Sequence, residues 1–452
     1  MISSDFKRRV LVFCIGLAAA GGVLWVNETQ RPSQLNIARN MLGGQWFRID
    51  LGNQHVGYMF NDTQLEPNGN WTFNSTTHFL LQDSSAKTIT KSLTFAGHPP
   101  YDLTYASFEN SDGVQTEFLH TGSTYSASIH RGSESNEVEL DWDFTLKDFL
   151  GFEAWLSEHR PQAGASHGVR DPDFEKLRIV QRSYRILELN EQGYVVETSA
   201  LLAPTVTQLD RTFRPLSLSM AGLFTIKRAA EVDAVAVKEM KSKTSYVFSV
   251  DQRLVNHTRI GALTMRVYNA GKALPQQLDL NREVLSAKGN PAHYIGEELK
   301  YPITARKIQT LLQGAIGQLS TTRLAERLVD VAHHQLRYAE NNPAKGVLNA
   351  LSRGYGECND FADLLTTLAR AAQIPARTVF GLAYKDGPNP VFMYHAWNEL
   401  YVDHQWIAVD PTWNQTQIDA THIPLSDEQS AALMLAHTHK PIHFEVLRTR
   451  YL

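Results

Sequence analysis

The sequence predicts an α+β protein in three parts, on three observations. An apolar run follows a basic flank at the N-terminus. Apolar and polar residues then alternate with period two from about residue 45 to about 230. Past residue 300 the period lengthens to three and four, and short strand-like runs come after it. The expected parts are a membrane helix within residues 1–30, an antiparallel β-rich domain with its linker over 31–295, and a helices-then-strands domain over 296–452.

Lys7, Arg8 and Arg9 precede an uninterrupted apolar stretch from Val10 to Val26. That is near the lower limit for a helix that spans a bilayer. A basic flank stays cytoplasmic, so the rest of the chain is expected on the extracytoplasmic, periplasmic side. Ala18 and Ala20 offer an A-x-A cleavage site, the mark of a removable signal. Val23, Leu24, Trp25 and Val26 carry the apolar run past it and favour an uncleaved anchor. Cys14 reads as an apolar residue of that helix.

After a polar linker, "QWFRIDL", "HVGYMFND", "NWTFNSTTHFLL", "KTITKSLTF", "YDLTYASFE" and "TYSASIHR" alternate between Gly, Asn, Asp and Pro breaks. Such runs make antiparallel sheet with one buried and one wet face. "LKDFLGFEAWLSEHR" interrupts them as a helix, and "KLRIVQRSYRILEL", "GYVVETSALL" and "GLFTIKRA" resume. "SYVFSVDQ" to "ALTMRVYN" extends this layer or links it to the C-terminal domain. "GASHG" around Ser166 fits G-x-S-x-G but lacks the preceding strand and following helix that a nucleophile elbow needs.

"ITARKIQTLLQGAIG" and "STTRLAERLVDVAHHQLRY" are amphipathic helices by spacing. "NNPAKGVLNALSRGYG" has Asn342 and Pro343 as starting signals and glycine at its exit. In the next helix Phe361, Leu364, Leu365, Leu368 and Ala372 form one stripe, and Pro375 ends it. "ARTVFGLAY", "YHAWNELYV" and "QWIAVD" are strands.

Composition narrows the function. The 452 residues are 43% hydrophobic and 20% charged, normal for a chain with a core, and the net charge of -4 gives no case for nucleic-acid binding. Two distant cysteines, Cys14 and Cys358, exclude a disulfide framework or a thiolate zinc site. No metal or cofactor signature is expected: His333 and His334 sit on a helix with a full apolar stripe, and His437 and His439 lack acidic company.

Cys358 is placed to open the helix that runs to about Ala372. There the unpaired amides and the positive end of the dipole favour thiolate, which lowers a cysteine pKa and makes the group a nucleophile. A base must stand near. His395 begins "HAWNELYV" and Asp410 ends "QWIAVD". If those strands form a hairpin with an even-numbered loop, paired residues have numbers that sum to an odd value. His395 and Asp410 meet that condition, so they share a face, directly opposite or one diagonal step apart. Nucleophile, base and orienting acid make the set for acyl transfer through a thioester on sulfur.

"GYGECNDFADLLTTLARAAQIPARTVFGLAY", "HAWNELYV" and "WIAVDPTW" resemble the transglutaminase-like superfamily, of papain-like architecture, over about residues 300–430, with "DATHI" after the site. The resemblance implies Cys358 as nucleophile, His395 as base and Asp410 as its orienting acid. Gln373 stands where the family usually has glycine. Trp397 is expected to pack beside the site, and Tyr355 or a neighbour to assist the Cys358 amide in an oxyanion hole. The β-rich half is loosely similar to envelope proteins that carry this domain. The expected activity is a membrane-anchored peptidase or amidase acting on a protein or peptide. A crosslinking transamidase and a non-catalytic scaffold are the alternatives.

Overall fold

The computed structural model describes residues 34–452 apart from 52–53, 81–85, 111–112, 123, 132–133, 199–204, 221–223, 238–246, 284–288, 318, 340–345, 427–428, 431, 434–435 and 438–439. The described residues fall into two compact units, divided between Ser242 and Lys243. Strand residues outnumber helical ones, 49% against 23%. The chain is therefore mostly β, and the expected α+β class is corrected. Strands at Val114–Thr121, Glu134–Leu140, Thr205–Asp210 and Pro215–Met220 fill gaps between the predicted ones. Most helices are a few turns at most. The expected N-terminal membrane helix is not supported: no helix among the described residues is long and apolar enough to cross a membrane. The run from Val10 to Val26, on which that expectation rests, lies outside the described residues.

The first unit is one antiparallel sheet of fourteen strands. Eight succeed one another from Gly43–Leu51 to Glu134–Leu140, and six from Ser166–Asp173 to Phe224–Arg228. The two series join where Phe47 to Leu51 pairs with Arg228 to Phe224. Period-two alternation makes one face: in Trp71–Leu80, residues Phe73, Ser75, Thr77 and Phe79 are all buried. Rings fill that side, with Phe73 edge-on to Phe149 and Phe118 stacked on Trp142. Burying each such ring stabilises by about 1.5–3 kcal/mol.

The second unit has an eight-stranded sheet. Its strands are β1 (Val247–Val250), β2 (Ile260–Tyr268), β3 (Gln277–Asn281), β4 (Ala376–Lys385), β5 (Val391–Val402), β6 (Gln405–Val409), β7 (His422–Pro424) and β8 (His443–Tyr451). The order is β3-β2-β8-β1-β5-β4-β7, with β6 also on β5. Within this sheet only the β1–β8 pair is parallel. The division between units falls at residue 242 rather than near 295, because β1 to β3 complete this sheet.

The helices of this unit include α1 (Arg306–Ala315), α2 (Thr321–Gln335), α3 (Val347–Arg353) and α4 (Cys358–Ala371). Ile308, Leu312, Leu328, Val329 and Val347 close around Phe361, Leu364, Leu365 and Leu368 of α4, which also meets Leu400, Val402 and Val409 of the sheet. Every residue from Asn359 to Arg370 is buried. A second core, with Phe248, Leu263, Met265, Leu382, Tyr384, Phe392 and Phe444, packs the rest of the sheet.

Candidate active site

Cys358 is the first residue of α4, the position its sequence context predicts. A capping box fixes the helix start. The Glu357 N–H donates to Asp360 Oδ2 at 2.8 Å, and the Glu357 side chain accepts from the Asp360 N–H. Gly356 makes room, since a Cβ there would meet Asp360 Cβ and Oδ2 at 2.6 Å. Farther along, Asn398 of β5 pins the helix to the strand. Its Nδ2 donates to Ala362 O and to Thr366 Oγ1, each at 2.8 Å. The Cys358 thiol lies within reach of the backbone of Ala396, the residue after His395, and 3.7 Å from Asn359 Oδ1.

His395 and Asp410 come together across the β5–β6 hairpin. Val402 pairs with Gln405 around the two-residue turn Asp403–His404. Both turn residues have positive φ, 48° and 66°, as a type I′ turn demands. The loop is even, so His395 and Asp410 share a side, and His395 Nε2 lies 2.8 Å from Asp410 Oδ2. Asp410 is fully buried and His395 is 5% exposed. The other carboxylate oxygen, Oδ1, accepts the N–H of Thr412 at 2.7 Å and of Trp413 at 3.3 Å. With Asp410 ionised, Nε2 carries the proton and Nδ1 keeps its lone pair for a base. Trp413 stacks on the imidazole at 4.2 Å and 11°.

Two residues without an expected role complete the cluster. His422 Nε2 is 3.3 Å from the same Asp410 Oδ2, and its Nδ1 is 3.4 Å from Asp419 Oδ1. Asp419 also accepts Thr421 N–H at 2.8 Å, Thr421 Oγ1–H at 2.6 Å and Gln415 Nε2–H at 3.0 Å. Both lie in "DATHI", a stretch whose sequence belongs to the resemblance but suggests no function. Gly381 lets them approach: a Cβ there would stand 2.0 Å from Ile423 O and 2.6 Å from the Trp397 ring.

The electrostatics are set by burial. Burial acts against charge on His422, but the bond to Asp410 and the Asp419 carboxylate 3.4 Å from Nδ1 outweigh it and raise its pKa to about 9. Burial alone would raise the Asp410 carboxyl; the charge and hydrogen bonds of His395 and then His422 hold it well below the usual carboxylate range. Cys358 is pushed up, first by burial, then by the charge of Glu357, against the backbone bond at Ala396 and with Asp410 and Asp360 adding to the rise. The helix start favours the thiolate, while burial and then the charges of Glu357, Asp410 and Asp360 oppose it. A thiolate here needs a cationic imidazole beside it.

His395, Asp410 and His422 offer ligand atoms within 4.8 Å of one another. Both imidazoles already direct Nε2 at Asp410 Oδ2, so a cation there would have to displace those two hydrogen bonds. The set fits a hydrogen-bonded chain better than a metal centre.

The other residues of interest have different places. Trp397 is 1% exposed and packs with Val379, Ala408 and Ile418, edge-on to His422 at 5.2 Å. Tyr355 carries the Arg353 guanidinium over its ring at 4.1 Å. His333 Nδ1 donates to Pro411 O at 2.9 Å and ties α2 to the turn after Asp410. Ser166 is exposed and paired with Arg185 in a ladder of the first unit, with no helix after it. His437 Nδ1 accepts the Ile442 N–H at 3.2 Å, and His439 lies outside the described residues.

Parts of the chain are similar to known proteins. Residues 310–411 match the model of the transglutaminase-like superfamily, and this domain of the chain belongs to that superfamily. The stretch spans Cys358, His395 and Asp410. No curated protein matches the chain. Among solved structures, a candidate cysteine protease from Cytophaga hutchinsonii is similar at 19% identity, covering 37% of this chain and 56% of that one, with a TM-score of 0.25. A β-barrel-like protein of a domain of unknown function from Brucella abortus is similar at 10% identity over 41% of this chain and 93% of that one, TM-score 0.28. A candidate protease from Parabacteroides distasonis is similar at 12% identity over 69% and 70%, TM-score 0.19. The chain thus spans about half the length of the first of these.

Proposed function

We propose that the second unit is a cysteine acyl-transfer enzyme that cleaves a peptide or amide bond in a protein or peptide substrate. The observation that carries this reading is the buried His395–Asp410 pair, 2.8 Å apart, with the backbone of Ala396, next to His395, bonded to the Cys358 thiol. Cys358 gives its proton to His395 and its thiolate sulfur attacks the acyl carbon. His395 returns the proton to the departing amine, which leaves a thioester on Cys358. Water then attacks the thioester while His395 takes its proton, and the acid departs as the thiol reforms. Asp410 stabilises the imidazolium at both stages and holds Nε2–H away from the sulfur.

Alkylation of Cys358 by iodoacetamide, tracked against pH by peptide mass spectrometry in the full chain carrying Cys14→Ser, tests this. The native protein is expected to react at pH 7, and His395→Ala to react at least about tenfold more slowly there, because burial then leaves only the raised thiol pKa. Equal rates in the two proteins at pH 7 would sink the reading. Release of a peptide product without uptake of added amine identifies water as the acceptor.

A further inference from the structure

Asp410 is shared. Its Oδ2 faces two imidazoles, His395 Nε2 at 2.8 Å and His422 Nε2 at 3.3 Å. His422 is 2% exposed and Asp419, behind it, is also 2% exposed. The chain of contacts thus runs Asp419, His422, Asp410, His395, and ends beside Cys358. We propose that His422 is a positioning residue that, held between Asp410 and Asp419, supplies a positive charge to the Cys358–His395 pair. This rests on the acyl-transfer reading given above and extends it to a residue outside the triad.

The geometry gives His422 two effects on the pair. It shares the Asp410 Oδ2 with His395, while Oδ1 is held by Thr412 and Trp413. It also offsets the acidic surroundings. The charged groups that face it are Asp410 and Asp419, with His395 at 6.0 Å between ring centres and the indoles of Trp397 and Trp413 at 5.2 and 5.5 Å. Glu357 and Asp360 bear on the sulfur from α4. Without the His422 charge, Asp410 keeps only His395 and two backbone N–H groups, and Asp419 keeps only neutral donors. Removing a nearby positive charge makes every proton of the Cys358–His395 pair harder to lose. Both of the pair's apparent pKa values then rise together.

The consequence differs from a structural loss. A residue that merely packs lowers the amplitude of the thiol's reactivity and leaves its inflections in place. A charge-supplying residue moves the inflections. His422→Gln keeps a donor for Asp410 and removes the charge. Asp419→Asn keeps the shape behind His422 and removes half of what holds it cationic.

The test is the alkylation rate of Cys358 against pH, in the full chain carrying Cys14→Ser, with His422→Gln, Asp419→Asn and His395→Ala alongside. Both inflections are expected to shift upward by about half a unit to one unit in His422→Gln, and to stay at or below the parent's in Asp419→Asn, which removes a negative charge. If His395→Ala alters the profile but His422→Gln keeps inflections within about 0.2 units of the parent, or Asp419→Asn raises them as His422→Gln does, His422 has no electrostatic part and the proposal falls alone. If His395→Ala leaves the profile unchanged, the acyl-transfer reading fails and takes the proposal with it. Should His422→Gln not fold, His422→Asn decides by the same criterion.

Discussion

At the scale of single residues, Gln373 shows how a tolerated departure is built. It has φ 61°, the left-handed region. Around it, Ile374 N–H donates to Ala369 O at 2.8 Å and Gln373 N–H to Arg370 O at 2.9 Å. That is a Schellman end, with Ile374 packed into the helix core. The bonds that end the helix are all made, so the side chain bears only backbone strain. Gln373→Gly should stabilise the second unit by about 0.5–1 kcal/mol, the relief of the left-handed penalty less the added freedom of the unfolded chain. A denaturant midpoint that stays put or falls would contradict this. Arg377 and Arg370 are different: each is buried and engaged, Arg377 with Glu399 through Nε at 2.7 Å and Arg370 with Glu298 at 2.9 Å. Removing either partner would leave a buried charge, a far larger loss than a strained turn.

At the scale of elements, the places of Cys358, His395 and Asp410 were legible in sequence because each sits within a local pattern. A helix start marks Cys358, and an even hairpin couples His395 to Asp410. His422 and Asp419 were not legible in that way. Their place depends on the β4–β7 ladder, where Gly381 pairs with Pro424 and Ala383 with His422. A contact between strands separated by a whole hairpin leaves no period in the chain. The one local trace is Gly381, whose missing side chain admits the Ile423 carbonyl. Gly381→Ala should destabilise the unit by about 2–3 kcal/mol, since the clash is with backbone and with a buried indole. A variant with unchanged stability would show that β7 can shift without cost. The missed strands have another cause. Val114, Thr116 and Phe118 alternate as a strand should, but polar partners and short turns hid the run between its neighbours.

At the scale of the molecule, pH acts through the buried cluster. The folded pKa of His422, about 9, lies above its ordinary 6.5. Its contribution to stability is therefore fully present below about 6.5 and is lost as pH rises through 9. Between those values the second unit should lose about 2–3 kcal/mol. Amide exchange in the β4–β5 ladder would read this, corrected for the intrinsic pH dependence of exchange. His422→Gln should lose that dependence, and equal slopes in the two proteins would refute the assignment. The depressed carboxyls of Asp410 and Asp419 act in the other window, adding stability above their unfolded pKa values that disappears on acidification.

The sheet order of the second unit bears on how the site comes into being. β8 lies between β2 and β1, and it is the strand made last of the eight. While the chain is being synthesised, the β2–β3 hairpin has no place to join the strands that carry His395 and Asp410. Cys358, His395, Asp410 and His422 all leave the ribosome before the strand that closes their sheet. The β2–β3 hairpin therefore joins the sheet only once β8 (His443–Tyr451) has been made, after every strand that carries the candidate site.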